Sequence, residues 1–496
     1  MVIDELKVSC RRPHIVAVAY LSQGHINPLI HFCLKLAHHG ILVTFVTIHV
    51  DGFLGVGQRK DPEVPEHWKN NFNFERLELE LPKEGVMSPG GFAKIFAMIE
   101  ELGGPFEELL SKLHSREEIP KVSCIVSDCM LVFTQVVAKK LGIPRAGFWT
   151  TSLASLTVDY HVPLLLENGD IPVTGENWEK IITYVPGLAP LPAWSLPIMY
   201  HEGNIMTTTD PGYKRKIARC VILRDDAWII ANSFEELEPA GFQALRKAMN
   251  QRCIGVGPLL PDGFFGERGD YDEHRKVVAP GVASFWKQDT TCLKWLAGKA
   301  PNSVLYISFG SVIKLTLPEF EELSRGLESS KQAFLWAFRP GCVEGLEIEE
   351  LESFKERTSS TGLVISWAPQ VEVLSHESTG GFLTHCGWNS VLEGICGGVP
   401  MLGWPRQAEQ NINCELFVGM GIGLRLVEAN QSGRYQACPT SDVIASKVSR
   451  VLGDEGLRKR AGELRDSARR AVKNQSGSTT THVEGFVRYL YGESLS

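Results

Sequence analysis

The sequence predicts an α/β protein made of two doubly wound units, each a parallel sheet covered by helices on both faces. Three observations carry that prediction. An apolar strand–helix–strand pattern opens the chain, and the same pattern restarts past the middle. Between them, residues 261–280 are rich in Gly, Asp, Glu, Arg and Lys and lack apolar periodicity, as a linker would.

The first unit begins with HIVAVAY (His14 to Tyr20), an apolar run of strand length. The loop LSQGHINP follows, and Leu29, Phe32, Leu34, Leu36 and Ala37 then recur at near-helical spacing up to Gly40. ILVTFVT (Ile41 to Thr47) is rich in β-branched residues and reads as the second strand. Strand–helix–strand connections of this kind need a parallel sheet. VSCIVS (Val122 to Ser127) ends at Asp128, a helix runs to Leu141, and IPRAGFW supplies a further strand. The second unit starts with SVLYISF (Ser303 to Phe309). Thr316 and Glu319 fit a capping box that opens a helix to about Ser329. AFLWAF, LVIS (Leu363 to Ser366), GGFLTH (Gly380 to His385) and VPMLGW (Val399 to Trp404) are its later strands. A charged helix spans Glu455 to Lys473, Ser476 to Thr481 breaks it, and a last short helix covers Val483 to Tyr491.

Length and composition bound the function. A chain of 496 residues allows about two to four domains and cores of ordinary size. The net charge of −8 argues against a general nucleic-acid binder, and the basic residues around Arg458 and Arg469 read as a solvated helix face. The polar start MVIDELKVSCRR lacks a signal-peptide core, and no apolar run reaches membrane-spanning length. Twelve scattered cysteines show neither Cys-x-x-Cys nor metal spacing, so reduced, buried thiols are expected. These features point to a cytoplasmic protein in which the Asn-x-Ser sequons at Asn430 and Asn474 are chance matches.

Several motifs are missing. The loop after the first strand carries one glycine, Gly24, and not the Gly-x-Gly-x-x-Gly of a dinucleotide fold. There is no Gly-x-x-x-x-Gly-Lys-Ser/Thr, His-Glu-x-x-His or Gly-x-Ser-x-Gly. Gly419, Gly421 and Gly423 suit a helix stop and turn. Asp270-Tyr271-Asp272 lies in the polar linker, without the pre-set geometry of a cation site, so no metal is expected.

The chemistry concentrates between Trp367 and Gln410. Trp367 follows a strand, at the carboxyl edge where open α/β sheets bind ligands, and an indole there can stack on a flat base. Phe382 to Thr384 is a strand, and His385-Cys386-Gly387-Trp388-Asn389-Ser390 turns into a helix. The first turn of a helix offers unused backbone N–H groups and the positive end of its dipole, a phosphate site. Gly387 allows close approach, and His385, Asn389 and Ser390 add polar side chains. Asn389, Ser390 and Glu393 can share one helical face, where a carboxylate can accept hydrogen bonds from a ribose. Glu409 and Gln410 open the next helix and suit sugar hydroxyls. Each residue alone is equally a cap, a surface charge or core; together they place partners for base, ribose and phosphate within one short segment.

This 44-residue segment resembles the signature box of plant-type family 1 glycosyltransferases, the UDP-dependent enzymes that glycosylate small natural products. Weaker resemblance extends over SFGS at Ser308, NSFEELE at Asn232, GPL at Gly257, LGIPRAGFWT at Leu141 and the tail helix. It implies a GT-B fold, in which two Rossmann-like domains face each other across a cleft. The expected limits are an acceptor-binding domain over 1–255, a linker over 256–285, a UDP-sugar domain over 286–475, and a tail helix over 476–496 packing back on the first. Trp367 would stack on uracil, with Ala368 and Gln370 holding the uridine and Glu393 the ribose. His385, Gly387, Asn389, Ser390 and the Ser311 loop would hold the diphosphate, with His385 adding positive potential. Trp388, Glu409 and Gln410 would face the sugar, in a glucose-preferring pattern. One departure is Glu409, where many members carry Asp, so the carboxylate sits one methylene further out.

QGHINP resembles the loop bearing the family's catalytic His, and SDCM the strand end bearing its Asp. His25 would be the general base and Asp128 its partner, with Thr150 near the sugar or the pair. Neutral imidazole can take a proton near pH 7. The expected activity is inverting, metal-independent O-glucosyl transfer from UDP-glucose, without a cofactor, to lipophilic acceptors such as phenolics and flavonoids. Met130, Phe92 and Trp194 are candidates for the acceptor pocket, and the protein is expected to be a monomer. The alternatives are another donor (UDP-xylose, UDP-galactose or UDP-rhamnose) and a UDP-sugar-binding protein without turnover.

Overall fold

Two parallel sheets organise the chain. The computed structural model describes residues 12–50, 70–79, 98–202, 220, 222–265, 288–427, 438–473 and 476–493. The amino-terminal sheet contains β1 (His14–Val18), β2 (Leu42–Val50), β3 (Phe72–Leu79), β4 (Cys124–Asp128) and β5 (Arg145–Trp149). After a small antiparallel pair, β6 (Ile181–Ile182) and β7 (Leu191–Pro192), it is completed by β8 (Trp228–Ala231) and β9 (Cys253–Gly255). Its strand order is β3-β2-β1-β4-β5-β8-β9. The second sheet contains β10 (Val304–Ser308), β11 (Ala333–Ala337), β12 (Gly362–Ile365), β13 (Thr379–Thr384), β14 (Met401–Gly403) and β15 (Gly423–Arg425), in the order β12-β11-β10-β13-β14-β15. Both sheets are wholly parallel, and in both the first strand lies in the interior with its second and fourth strands on either side. The chain is thus wound outward twice from one point in each sheet, the GT-B architecture.

The strands are nearly all buried, which explains their apolar runs: β1, β4, β5, β8, β10 and β13 have no exposed position. β8 and β9 have only four and three residues, too short for a sequence period to show. The capping box at Thr316 forms as its spacing predicts: Glu319 accepts the Thr316 backbone N–H at 2.8 Å and opens the Leu317–Ser330 helix.

Two helix starts differ from the sequence expectation. The first helix begins at Gln23, so His25 sits in its first turn and not in a loop, and Pro28 lies inside it. Proline removes one helical hydrogen bond, which made the stretch read as a loop. The last helix begins at Ser478, five residues before the expected start, because its threonine-rich first turn is held by tertiary contacts. The Thr479 hydroxyl donates to the Gly257 carbonyl, and Ser478 to Glu236 at 2.8 Å. Phe92, the Asp270–Asp272 pair, Asn430, Asn474 and most of the expected linker lie outside the described residues. No helix among the described residues is long and apolar enough to cross a membrane.

The last helix buries Val483, Phe486 and Val487 in the amino-terminal core with Phe32, Leu36 and Trp228. The Phe486 ring lies 6.0 Å from Phe32 and 5.8 Å from Trp228, centroid to centroid. Phe486→Ala should therefore cost about 3–5 kcal/mol in chemical unfolding of the amino-terminal unit. Val136→Ala, at a site 61% exposed, should stay within about 0.5 kcal/mol. Equal midpoints for the two variants would contradict this packing.

Candidate active site

A doubly wound sheet opens a crevice where its winding reverses, at the carboxyl ends of the strands. In the amino-terminal unit that point lies between β1 and β4: the helix carrying His25 follows β1, and Asp128 ends β4. In the second unit it lies between β10 and β13, where Ser311 follows β10 and His385 follows β13. The two crevices share one cleft of ≈ 360 Å³. His25, Thr150, Ser311, Trp367, Ala368, Gln370, His385, Gly387, Trp388, Asn389, Ser390, Glu393, Glu409 and Gln410 all line it.

On one wall, His25 Nδ1 lies 2.6 Å from Asp128 Oδ2, with side-chain exposures of 22% and 2%. A carboxylate at that nitrogen holds the proton on Nδ1, so the neutral ring carries its basic lone pair on Nε2. Asp128 Oδ1 accepts the Met130 backbone N–H at 2.8 Å, which fixes the carboxylate. The Thr150 hydroxyl is 3.1 Å from the same His25 nitrogen. Thr150 precedes the Leu153–Tyr160 helix, whose start is set by Glu238: its two oxygens accept the N–H groups of Leu153 (3.0 Å) and Ala154 (2.8 Å).

On the other wall, Gln370 organises the polar groups. Its Oε1 accepts from the Tyr306 hydroxyl at 3.0 Å, and its Nε2 donates to Ser390 Oγ at 3.0 Å and to Glu393. Burial raises the Glu393 carboxyl to about 7, against the opposing hydrogen bond from Gln370. Trp367 is half-buried at the cleft, its carbonyl accepting from the Asp289 N–H at 2.8 Å.

His385 corrects one expectation. Burial pushes its imidazole down to about 4, so at neutral pH it is uncharged and adds no positive potential. The ring is wedged between two glycines: a Cβ on Gly310 would come within 2.7 Å of it, and one on Gly387 within 2.5 Å. Gly310 also has φ +72, which accounts for the glycine in SFGS. The start of the Trp388–Gly397 helix supplies positive potential on this wall.

Two side chains of that helix reach across the cleft. The Trp388 indole, 2% exposed, donates its N–H to the Asn232 carbonyl at 2.7 Å. Asn389 Nδ2 donates to the Gly24 carbonyl at 2.7 Å, and its Oδ1 accepts from Asn232 Nδ2 at 3.3 Å. At the start of the next helix, Gln410 Oε1 accepts the N–H groups of Arg406 (2.8 Å) and Gln407 (2.9 Å), which fixes its amide with the NH₂ outward. Arg406 is clamped by Glu319 at 2.5 and 3.0 Å. Ala408 between them has φ +52 and Cys386 has φ +66, so both turns bordering the cleft hold residues in the left-handed region. Burial raises the Glu409 carboxyl, with the nearby His25 opposing.

Asp128 stands behind His25 and does not line the cleft; neither do Met130 and Trp194. Trp194 packs under the Arg425 guanidinium, 4.4 Å from its ring centroid. Sequence reasoning missed Gln23, Asn27, Thr151, Gln288 and Tyr306 on the cleft wall, and Asn232 beneath it. Gln23 and Asn27 sit one turn apart on the His25 helix, a spacing hidden while its start was read as loop. Gln23 Oε1, Asn27 Oδ1, Thr151 Oγ1 and His385 Nδ1 are buried here without a protein partner. Buried polar atoms are nearly always paired, so their concentration at one cleft marks the place for a polar ligand.

Residues 283–448 match the family model described as UDP-glucoronosyl and UDP-glucosyl transferase. The chain is 33% identical over 492 residues to 7-deoxyloganetin glucosyltransferase of Gardenia jasminoides, covering 96% of this chain and 97% of that protein. It is 33% identical over 433 residues to (R)-mandelonitrile beta-glucosyltransferase of Prunus dulcis, covering 84% and 86%. The structure of Phytolacca americana UGT2 complexed with UDP-2fluoro-glucose and pterostilbene matches with a TM-score of 0.75 at 27% identity, covering 97% of this chain and 100% of that one.

The raised Glu393 carboxyl has a stability consequence. Between its ordinary range near 4.5 and about 7, the folded protein holds a proton that the unfolded chain has lost, so its contribution falls as pH rises through that window. Glu393→Gln keeps an acceptor for Gln370 without the charge. The Tm of this variant minus that of the wild type should grow more positive from pH 5 to pH 8. At about 1.4 kcal/mol per unit, screened on the open side, the change is at most about 3 kcal/mol. A difference that stays flat or shrinks would refute the shift.

Proposed function

This chain is a UDP-glycosyltransferase of the UDP-glucoronosyl and UDP-glucosyl transferase family, and on that premise we propose the reaction it performs. It is inverting, metal-independent O-glucosyl transfer from UDP-glucose to small lipophilic acceptors, phenolics such as flavonoids foremost, with His25 as the general base. The observation that carries this reading is the His25–Asp128 pair facing the helix start at Trp388 across one cleft. The glucosyl acceptors named for the Gardenia and Prunus relatives support a small-molecule acceptor, and the glucose-bearing donor analogue on the Phytolacca protein supports the sugar.

The donor lies along the second unit in this reading: uracil on Trp367, ribose on Glu393, diphosphate at the first-turn N–H groups of the Trp388 helix and near Ser311, glucose toward Glu409 and Gln410. The acceptor sits on the amino-terminal unit, over roughly residues 1–255. His25 Nε2 takes the acceptor's hydroxyl proton as that oxygen attacks C1 of glucose. The bond from C1 to the β-phosphate oxygen breaks, UDP leaves, and the helix start meets its developing charge. The proton ends on the imidazolium, held by the Asp128 carboxylate. Attack opposite to the leaving group turns the α-linked donor into a β-glucoside.

His25→Ala should lower kcat by about 10²–10⁴-fold while leaving UDP affinity unchanged. Undiminished turnover in that variant would remove His25 from the mechanism. A wild-type protein that binds UDP-glucose yet glucosylates none of a panel of phenols, flavonoids, terpenoids and cyanohydrins would instead be a binding protein. Trp367→Ala should weaken UDP binding by roughly 1–3 kcal/mol, the scale of base–aromatic stacking, as read by calorimetry. Unchanged affinity there would contradict the stacking.

A further inference from the structure

Asn232 lies beneath the cleft, 1% exposed, as the first residue after β8. Its amide orientation is set from within its own unit, because Oδ1 accepts the Leu259 N–H at 3.0 Å. That leaves Nδ2 to donate to Asn389 Oδ1 (3.3 Å), which in turn aims Asn389 Nδ2 at the Gly24 carbonyl (2.7 Å). In an uninterrupted helix the Gly24 carbonyl would accept the N–H of residue 28. Pro28 has no N–H, so that carbonyl is available to the opposite wall. The Asn232 backbone closes the circuit: its N–H donates to the Trp149 carbonyl at 2.9 Å, and the next residue, Thr150, contacts His25. Its carbonyl meanwhile receives the Trp388 indole N–H.

Four hydrogen bonds, joined by the peptide links Trp149–Thr150 and Gly24–His25, therefore form a ring from His25 through Thr150, Trp149, Asn232, Asn389 and Gly24 back to His25. We propose that Asn232 is a positioning residue that sets the donor-binding helix start in register with His25, through Asn389 and the carbonyl that Pro28 leaves open. The inference rests on His25 being the base. Attack needs the acceptor oxygen, C1 and the base aligned, and a misplacement of about 1 Å costs up to about 10²-fold in rate. Asn232 touches none of the reacting atoms, so its effect falls on turnover and not on nucleotide binding.

Asn232→Asp keeps the oxygen that accepts from Leu259 but loses the N–H that Asn389 needs. It should lower kcat about 10–100-fold, with the KM for UDP-glucose and the Kd for UDP within about threefold of wild type. Pro28→Ala tests the same link from the other side without disturbing Asn232. It restores an N–H that competes for the Gly24 carbonyl, and should lower kcat about 3–10-fold with Tm unchanged or raised. Wild-type kcat in both variants, or a kcat loss matched by an equal loss of UDP affinity, overturns the proposal. If Asn232→Asp does not fold, Pro28→Ala decides it alone. His25→Ala assayed alongside separates the two failures. If it is inactive while both variants turn over normally, the positioning role is wrong and the base reading stands. If it is fully active, the base reading falls and this inference with it.

Discussion

Parallel strands force their crossover helices to start at one edge of the sheet, and two such edges facing each other are what the rest of this molecule depends on. Every helix start brings unused backbone N–H groups and a positive dipole end to that edge. Both sheets reverse their winding at the same step, beside the first strand, so the two crevices are equivalent places in two copies of one architecture. One presents an imidazole with its carboxylate, the other a helix start with an indole and a buried carboxyl. Neither wall is a site for transfer alone, and the side chains that cross between them are short amides and an indole N–H with little freedom to drift.

Desolvation shapes the electrostatics more than charge does. The chain carries a net charge of −8, yet belongs to a family whose donor is anionic. Burial pushes the His385 imidazole down to about 4 and raises the Glu393 carboxyl to about 7, so both carry less charge near neutral pH than they would in water. The dipole of the Trp388–Gly397 helix is fixed, and no pH change removes it. The wedge of Gly310 and Gly387 around the His385 ring shows how tightly that turn is built.

Much of this was legible in the chain. The apolar strand runs, the Thr316–Glu319 capping box and the segment from Trp367 to Gln410 are local patterns, read at a range of a few residues. The misreadings had local causes too. Pro28 disguised the first turn of the His25 helix, and three threonines disguised the start of the last helix. Nothing near Asn232 in sequence marks it as a polar side chain with partners at positions 259 and 389.

By itself the sequence determined the fold class, the place where the chemistry gathers, and the residue types at each strand end, because hydrophobic periodicity and helix-start chemistry are short-range physics. Only the tertiary structure decided how those residues act together. Burial set His385 neutral and raised Glu393, and no string of letters reports the dielectric around a group. Folding brought Asp128 to within 2.6 Å of a histidine 103 residues away. It also gave the carbonyl that Pro28 leaves open to an amide 365 positions further along the chain. The first pairing depends on which strands lie side by side in one sheet and the second on how two sheets are set face to face, long-range geometry that local sequence does not encode.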